Sequence, residues 1–146
     1  MMETQNIDNV SGQIVDCAYH IHNELGPGLL ESVYEAVLAK RLEQRGLRVE
    51  RQKPVAFEFD GLSFEEGFRI DLLVEGAVVV ELKSVERMSR VYPKQLLTYL
   101  KPMNLRVGLL INFGTPTLNK GLERVVNNHV PSASSPLRVN RKDLQS

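Results

Sequence analysis

The sequence has a single cysteine, no net charge and no long apolar run, and each of these scarcities excludes a class of protein. Cys17 alone cannot build a disulfide framework, and its use fits a reducing cytoplasm. No apolar stretch approaches the roughly 18 residues that a membrane span needs. The opening stretch MMETQNIDNV lacks the basic and apolar regions of a signal peptide. A formal net charge of zero argues against a protein that coats nucleic acid by charge alone.

The composition that remains is that of an ordinary globular protein. Hydrophobic residues make up 42% of the chain and charged residues 25%. The length of 146 residues predicts one domain, assigned to residues 1–130, which is large enough to bury a core. Residues 131–146, which include PSASSP, are predicted to form a flexible C-terminal tail.

The charges balance overall but are unevenly distributed along the chain. Residues 40–53 and 83–106 are mostly basic, whereas residues 58–81 carry acidic side chains with only Arg69 against them. An acidic middle between basic flanks suits a metal site beside an anion-binding rim. The alternative is that these charges are scattered over solvated faces.

Apolar residues at helical spacing predict two helices at the start of the chain. The first covers residues 9–25 and stops at GPG, residues 26–28. The second begins near Leu30 and ends at Gly46. Strand periodicity starts at Val49, because apolar and polar residues alternate from there on.

The strand region predicts a hairpin and a later crossover. The pair DG at residues 60 and 61 marks the turn, and residues 62–74 return as a strand with Gly67 as a candidate break. Further elements are then predicted in the order of a strand at 77–83, a helix from Pro93 to Leu100, a buried strand at 105–113, and a segment at 118–127 that fits either a helix or a strand. The pattern is that of an α/β protein with three or four strands before the crossover helix.

The stretch FRIDLLVEGAVVVELKS, residues 68–84, places charges on strands that otherwise read as core. Asp71, Glu81 and Lys83 stand among β-branched and aliphatic residues. Charged groups on core strands are costly unless they are paired or bound to a metal. Because strand side chains alternate, Glu81 and Lys83 share one face.

The turn between the two strands decides whether the carboxylates meet. A two-residue loop at Glu75 and Gly76 would put Asp71 opposite Val80, on the wrong face. A three-residue loop would pair Val74 with Val78 and set Asp71 directly opposite Glu81. Gly76 can adopt the left-handed conformation that such a loop needs. The sequence therefore predicts the longer loop, or a bulge with the same effect.

Two neighbouring carboxylates repel each other, and a hard cation removes the conflict. Mg²⁺ uses one or two carboxylates, keeps several waters and contacts a substrate phosphate. Lys83 on the same face can hold a water nucleophile or neutralise charge on the phosphorus centre. The set of Asp71, Glu81 and Lys83 thus predicts metal-assisted hydrolysis of a phosphodiester.

These residues resemble a known signature. Asp71 followed by Glu81, Leu82 and Lys83 resembles the PD-(D/E)xK nuclease motif, with Ile70 where proline often stands. The segment GLLESVY resembles the signature that names the GxxExxY proteins, a bacterial branch of that superfamily. The likeness extends to ELKSVERMSRVYPKQLLTYLK and GLLINFG and covers roughly residues 8–127.

The resemblance implies a restriction-endonuclease-like core, with a central mixed β-sheet flanked by helices in the order α-α-β-β-β-β-α-β. It implies that Mg²⁺ or Mn²⁺ is held by Glu31, Asp71, Glu81 and the backbone carbonyl of Leu82. A second interpretation of Glu31 is structural. If Gly28 is the N-cap, Glu31 lies at the third helical position, where a carboxylate caps the backbone. Tyr34 is interpreted as a core tyrosine.

Gln95 and Tyr99 are four residues apart on the predicted third helix and therefore share a face. Their pattern is similar to one in RecB-like exonucleases, which implies that Gln95 orients substrate and that Tyr99 contacts it. The resemblance also makes Arg87, Arg90 and Lys94, together with Lys101, candidates for phosphate contacts. The alternative for each is an ordinary surface residue.

The sequence therefore predicts a cytoplasmic, metal-dependent nuclease acting on DNA or RNA, with Asp71, Glu81, Lys83, Glu31 and Gln95 in the catalytic site. The alternative is a non-catalytic module that keeps the nuclease fold and binds nucleic acid or protein. A third possibility is a subunit that acts only within a homo-oligomer.

Overall fold

A computed structural model describes residues 4–128 of the chain, so the predicted tail at 131–146 lies outside the described residues, and the domain boundary at 130 stays a prediction. The elements, in chain order, are α1 (Thr4–Leu25), α2 (Glu31–Gln44), β1 (Val49–Phe59), β2 (Leu62–Val74), β3 (Val78–Lys83), α3 (Val91–Met103), β4 (Val107–Asn112), the single turn α4 (Leu118–Gly121) and β5 (Leu122–Val126). No helix within residues 4–128 has both the length and the apolar character to cross a membrane.

The five strands form one mixed sheet in the order β1-β2-β3-β4-β5. Its first three strands are antiparallel neighbours. Strand β4 runs parallel to β3, because α3 carries the chain across between them, and β5 returns antiparallel to β4. The predicted α/β class with a central mixed sheet and flanking helices is confirmed.

The predicted order α-α-β-β-β-β-α-β is wrong in one respect, because three strands rather than four precede α3. Strand β2 runs unbroken past Gly67, where the register against β1 shifts between Val55 and Phe57. Gly67 makes this bulge possible, since a Cβ there would overlap the ring of Phe57. The segment 118–127, which fits either a helix or a strand by sequence, forms one of each: a helical turn is followed by a strand.

Two apolar layers cover the two faces of the sheet. Helices α1 and α2 pack on one face against Leu72, Val78, Val80, Leu82 and their neighbours on β4. Helix α3 covers part of the other face, where a smaller cluster includes Leu73, Val79 and Leu110. Because β3 and β4 are covered on both sides, their apolar residues form nearly continuous runs.

Candidate active site

The turn between β2 and β3 sets the register that sequence reasoning required. Val74 pairs with Val78, which confirms the predicted three-residue connection. Glu75 and Gly76 both have positive φ angles, 54° and 64°, and the N–H of Ala77 donates to the carbonyl of Val74 at 3.0 Å. Ala77 is the extra residue that shifts the pairing, so the tight turn and the bulge act together.

The regular ladder between β2 and β3 ends at the pair Leu72 and Val80. Beyond it the two strands are joined through carboxylates. The backbone N–H of Asp71 donates to Glu81 Oε1 at 3.0 Å, and the backbone N–H of Leu82 donates to Asp71 Oδ2 at 2.8 Å. We call this interruption of the backbone ladder, at Asp71, Glu81 and Leu82, the strand gap.

Side-chain alternation along β2 also breaks at the strand gap. Ile70 packs in the α3 layer, whereas Leu72 packs in the layer of α1 and α2. Residues two apart on a regular strand point to the same face. The irregularity therefore falls on Asp71, and it turns this carboxylate toward β3 rather than fully into either layer.

Burial and proximity perturb both acids of the strand gap. Burial first, and the negative charge of Asp71 second, raise the pKa of Glu81 to about 8. The pKa of Asp71 is raised as well, mainly by burial, against the lowering effect of the Leu82 N–H. Lys83 lowers the pKa of both acids, so its ammonium group lies within electrostatic reach of the pair.

Lys83 is fixed from the side of β4. Its backbone carbonyl accepts the N–H of Phe113 at 2.8 Å, and its Nζ lies 4.3 Å from the centre of the Tyr92 ring. The buried side chain of Asn112 accepts the N–H of Val85 at 3.0 Å and donates to its carbonyl at 2.9 Å. These bonds hold the segment that follows Lys83 against the end of β4.

Glu31 begins helix α2 near the same end of the sheet. Its charge contributes to raising the pKa of Glu81, although it is exposed. Leu30 rather than Gly28 is the N-cap, so Glu31 occupies the first helical position, and the interpretation as a third-position cap is wrong. A carboxylate in this first turn still interacts favourably with the helix dipole.

The loop before α2 is tied to the core by Tyr34, as a core tyrosine would require. The Tyr34 hydroxyl accepts the N–H of Leu29 at 3.0 Å and donates to the carbonyl of Gly26 at 2.6 Å, while its ring stacks on Phe113 at 4.3 Å. Ser84 donates to the carbonyl of Leu29. This bond links the residue after Lys83 directly to the loop that carries Glu31.

Gln95 and Tyr99 lie on the same face of α3. Burial raises the pKa of Tyr99, whereas the Gln95 side chain lowers it. The charges of Glu81 and Asp71 also raise this pKa. The phenol is therefore close enough to the strand gap to sense both acids. Its ring stacks on Phe68 of β2 at 4.4 Å.

The basic residues predicted to contact phosphate are placed at the entrance to α3. Arg87 and Arg90 lie in the segment between β3 and α3, and Lys94 lies in the first turns of the helix. All three are exposed, and the structure records no ion pair for them within residues 4–128. Arg87 and Arg90 follow Lys83 in the chain by four and seven residues, and a role in phosphate contact stays a prediction for all three.

Sequence reasoning missed two residues that contact the site. Gln52 Nε2 donates to Asp71 Oδ1 at 3.2 Å and to Glu35 Oε1 at 2.5 Å. Glu35 is buried, and its other oxygen accepts a bond from Arg51 Nε at 3.1 Å. The spacing of four residues between Glu31 and Glu35 indicates that both lie on one helix face, and this could have identified Glu35. Gln52 stands among polar residues that predict a solvated segment, so the sequence gives no sign of its contact with Asp71.

The donors of the strand gap fit a hard divalent cation. Residues 4–128 contain no group of three or more His, Cys, Asp or Glu side chains close enough to hold a metal by themselves. Magnesium needs only one or two carboxylates, because waters complete its shell. Asp71 and Glu81 supply them. The N–H of Leu82 points into the gap, and the carbonyl of a strand residue points the same way as its N–H, so this oxygen faces the gap too.

Comparison with protein families assigns the class to which this fold and this site belong. The model of the PD-(D/E)XK nuclease superfamily matches residues 8–125. The chain therefore belongs to that superfamily. No curated protein and no solved structure matches the chain.

Proposed function

We propose that the protein is a divalent-metal-dependent nuclease that hydrolyses phosphodiester bonds of DNA or RNA at the strand gap. The observation that supports this most directly is the pair of reciprocal bonds between Asp71 and the Glu81–Leu82 segment. A sheet normally closes such a position with backbone bonds. Here two carboxylates of raised pKa replace them, beside a lysine.

Asp71, Glu81 and the carbonyl of Leu82 would hold Mg²⁺ or Mn²⁺, with Glu31 reaching the ion directly or through water. A bound ion of this kind polarises the phosphate and lowers the pKa of a water molecule. The Lys83 ammonium group, fixed through β4 and Tyr92, would orient the attacking water and balance charge as the phosphorus centre becomes more negative. Lys83 thus acts on the reaction rather than on the fold.

The side chains around the gap have supporting roles in this proposal. Gln95 orients the substrate through its exposed amide, and Tyr99 contacts the nucleic-acid strand beside Gln95. Arg87, Arg90 and Lys94 contact phosphates on the side where the chain enters α3. Gln52 and buried Glu35 hold the carboxylate of Asp71 in place.

The decisive experiment combines labelled single- and double-stranded DNA and RNA with the purified chain, in Mn²⁺ and in chelator. We expect cleavage in Mn²⁺ that an Asp71→Asn variant loses and that chelator abolishes. Asp8→Asn, which makes the same chemical change at an exposed position of α1, serves as the matched control. Equal activity of the Asp71→Asn variant would contradict the assignment.

Three finer predictions belong to the same proposal. Membership of the GxxExxY branch is supported by the Gly28, Glu31 and Tyr34 motif. A cytoplasmic setting is suggested by the single buried cysteine, Cys17. Homo-oligomerisation is tested by light scattering. Absence of carboxylate-dependent metal binding in calorimetric titration would instead favour the non-catalytic module that keeps the nuclease fold and binds nucleic acid or protein.

A further inference from the structure

A row of four aromatic rings leads from the β1–β2 hairpin to the candidate active site. Phe64 stacks on Phe57 with centroids 5.2 Å apart, Phe57 contacts Phe68 at 6.3 Å, and Phe68 stacks on Tyr99 at 4.4 Å. Phe68 and Asp71 lie on the same strand β2, three residues apart, which is about 10 Å along a strand. The row therefore reaches the strand that carries Asp71.

A groove of about 690 Å³ lies beside this row. Its lining is mainly aromatic and aliphatic and includes Phe57, Phe59, Phe68, Tyr99, Thr98 and Pro102. The volume lies within the range of ordinary ligand pockets. The groove is therefore large enough for flat aromatic ligands, and it includes Phe68, which precedes Asp71 by three residues on β2.

Charge is distributed asymmetrically around the strand gap. Exposed Arg87, Arg90 and Lys94 lie where the chain enters α3. The groove lies toward the end of the same helix, and Glu58, Asp60 and Lys101 are among the residues that line it. One side thus carries these three basic side chains, whereas the other offers aromatic surface with charges of both signs.

This asymmetry discriminates between substrates. A duplex keeps its bases stacked inside, so it could present only its backbone to the aromatic surface. An unpaired strand can turn its bases onto aromatic side chains. Stacking is worth about tenfold or more in affinity per base, so the aromatic surface favours the unpaired strand.

We infer that the aromatic groove binds unpaired nucleobases next to the scissile phosphate, so that the substrate is single-stranded on that side. This inference rests on the proposed nuclease function and adds the class of substrate to it. DNA and RNA both present nucleobases, so the inference covers both. The comparison of oligothymidine with oligouridine tests whether the chain prefers one of them.

The test measures binding by fluorescence anisotropy, with chelator present so that no cleavage occurs. The probes are a short labelled oligothymidine, an oligouridine, an abasic DNA strand of equal length and a blunt duplex. The abasic strand keeps the backbone charge and removes only the bases. We expect it to bind about tenfold or more weakly than oligothymidine or oligouridine, with the duplex also weaker.

Matched variants locate the effect. Phe59 and Leu62 are cross-strand partners on the hairpin and are 57% and 62% exposed, but only Phe59 lines the groove. We expect Phe59→Ser to reduce the preference for bases, whereas Leu62→Ser leaves it unchanged. Phe57→Leu, which keeps an apolar side chain but removes the ring, should reduce it as well.

Several results would overturn the inference: equal binding of the abasic strand, equal binding of the duplex, or equal losses in Phe59→Ser and Leu62→Ser. An Asp71→Asn variant separates this outcome from failure of the nuclease proposal, because it should keep the preference for bases without cleaving. Base-dependent binding by a chain that never cleaves would support the groove and refute the nuclease. Cleavage without base dependence would do the reverse.

Discussion

The two halves of the β2–β3 pair differ in what holds the strands together. In the half next to the turn, Leu72, Leu73 and Val74 pair in register with β3 and are buried in both apolar layers. In the other half, Asp71 and Glu81 accept the bonds that backbone carbonyls would otherwise accept. The same two strands thus change from backbone pairing to carboxylate pairing within one residue.

The difference separates a half that stabilises the fold from a half in which we propose that the reaction takes place. Burial of apolar side chains stabilises the regular half. The irregular half contains two acids whose pKa values are raised by burial and by each other, an arrangement that opposes stability when both are charged. Substitutions in the two halves should therefore have opposite signatures.

Replacement of Lys83 by Ala should have the largest effect on the reaction. Loss of the ammonium group removes charge balance and water orientation at the strand gap, and we expect cleavage in Mn²⁺ to fall by about 10²–10⁴-fold. Thermal unfolding should change little, since Lys83 is half-buried at the end of β3. Lys40→Ala, at an exposed lysine of α2, is the control, and equal cleavage by the two variants would contradict the role of Lys83.

Replacement of Leu72 by Ala should have the opposite signature. The side chain is fully buried in the regular half, so its truncation leaves a cavity and should lower the free energy of unfolding by about 2–5 kcal/mol. Cleavage per folded molecule should stay close to that of the native chain. Urea unfolding measures the free energy of unfolding, and a cleavage assay at low temperature measures activity per folded molecule. Loss of cleavage without loss of stability would contradict the distinction between the two halves.

The raised pKa of Glu81 predicts that the free energy of unfolding decreases as the pH rises. Between its ordinary value of 4.5 and about 8, the folded chain binds a proton that the unfolded chain has released. The contribution of Glu81 to the free energy of unfolding is fully present below about pH 4.5 and is lost as the pH rises through about 8. In metal-free protein, Glu81→Gln should flatten this fall in urea titrations from about pH 5 to about pH 9.

Exposed Glu58→Gln is the control for the same chemical change and should keep the slope of the native chain. Because the native Glu81 carboxyl is protonated at neutral pH, Mn²⁺ binding to the native chain should also release a proton. Calorimetry in buffers of different ionisation enthalpy measures that release. A pH-independent difference between the native chain and Glu81→Gln would contradict the raised pKa.

Replacement of Gln52 by Gly should give the smallest effect and the finest test. Gln52 has a φ of 47°, uncommon for a residue with a side chain, while its amide bridges Asp71 and Glu35. Glycine relieves the backbone and removes the bridge, so stability should be maintained while affinity for Mn²⁺ falls about 10–100-fold. Unchanged affinity in calorimetric titration would mean that Gln52 does not position Asp71.

Sequence periodicity predicted the helices, and the DG pair predicted the hairpin turn, because each depends on local patterns. The register of β3 followed instead from a requirement between two strands, that Asp71 and Glu81 meet, and the pairing of Val74 with Val78 confirms it. The strand count erred at Gly67, since a bulge that fits an aromatic ring from another strand leaves no local trace. Residues 118–127 were ambiguous because the segment changes from helix to strand at Gly121.

The parts of the site that were missed depend on contacts between distant segments. Glu35 faces the sheet between Tyr34 and Leu38, and only the folded position of Arg51 and Gln52 explains a buried carboxylate there. The backbone angle of Gln52 cannot be inferred from the polar sequence around it. The break in alternation at Asp71 likewise arises from the partners of that residue, not from its neighbours in the chain.

The bonds across the strand gap have a consequence for how a bound ion would act on the sheet. Asp71 Oδ2 and Glu81 Oε1, the oxygens that fasten the two strands to each other, belong to the same carboxylates that would ligate a cation. On the opposite edge, β3 is secured to β4 by backbone and Asn112 contacts that use none of these atoms. A bound ion would therefore draw on the carboxylates that join β3 to β2 and on none of the contacts that join β3 to β4, so it would act on one edge of β3 alone.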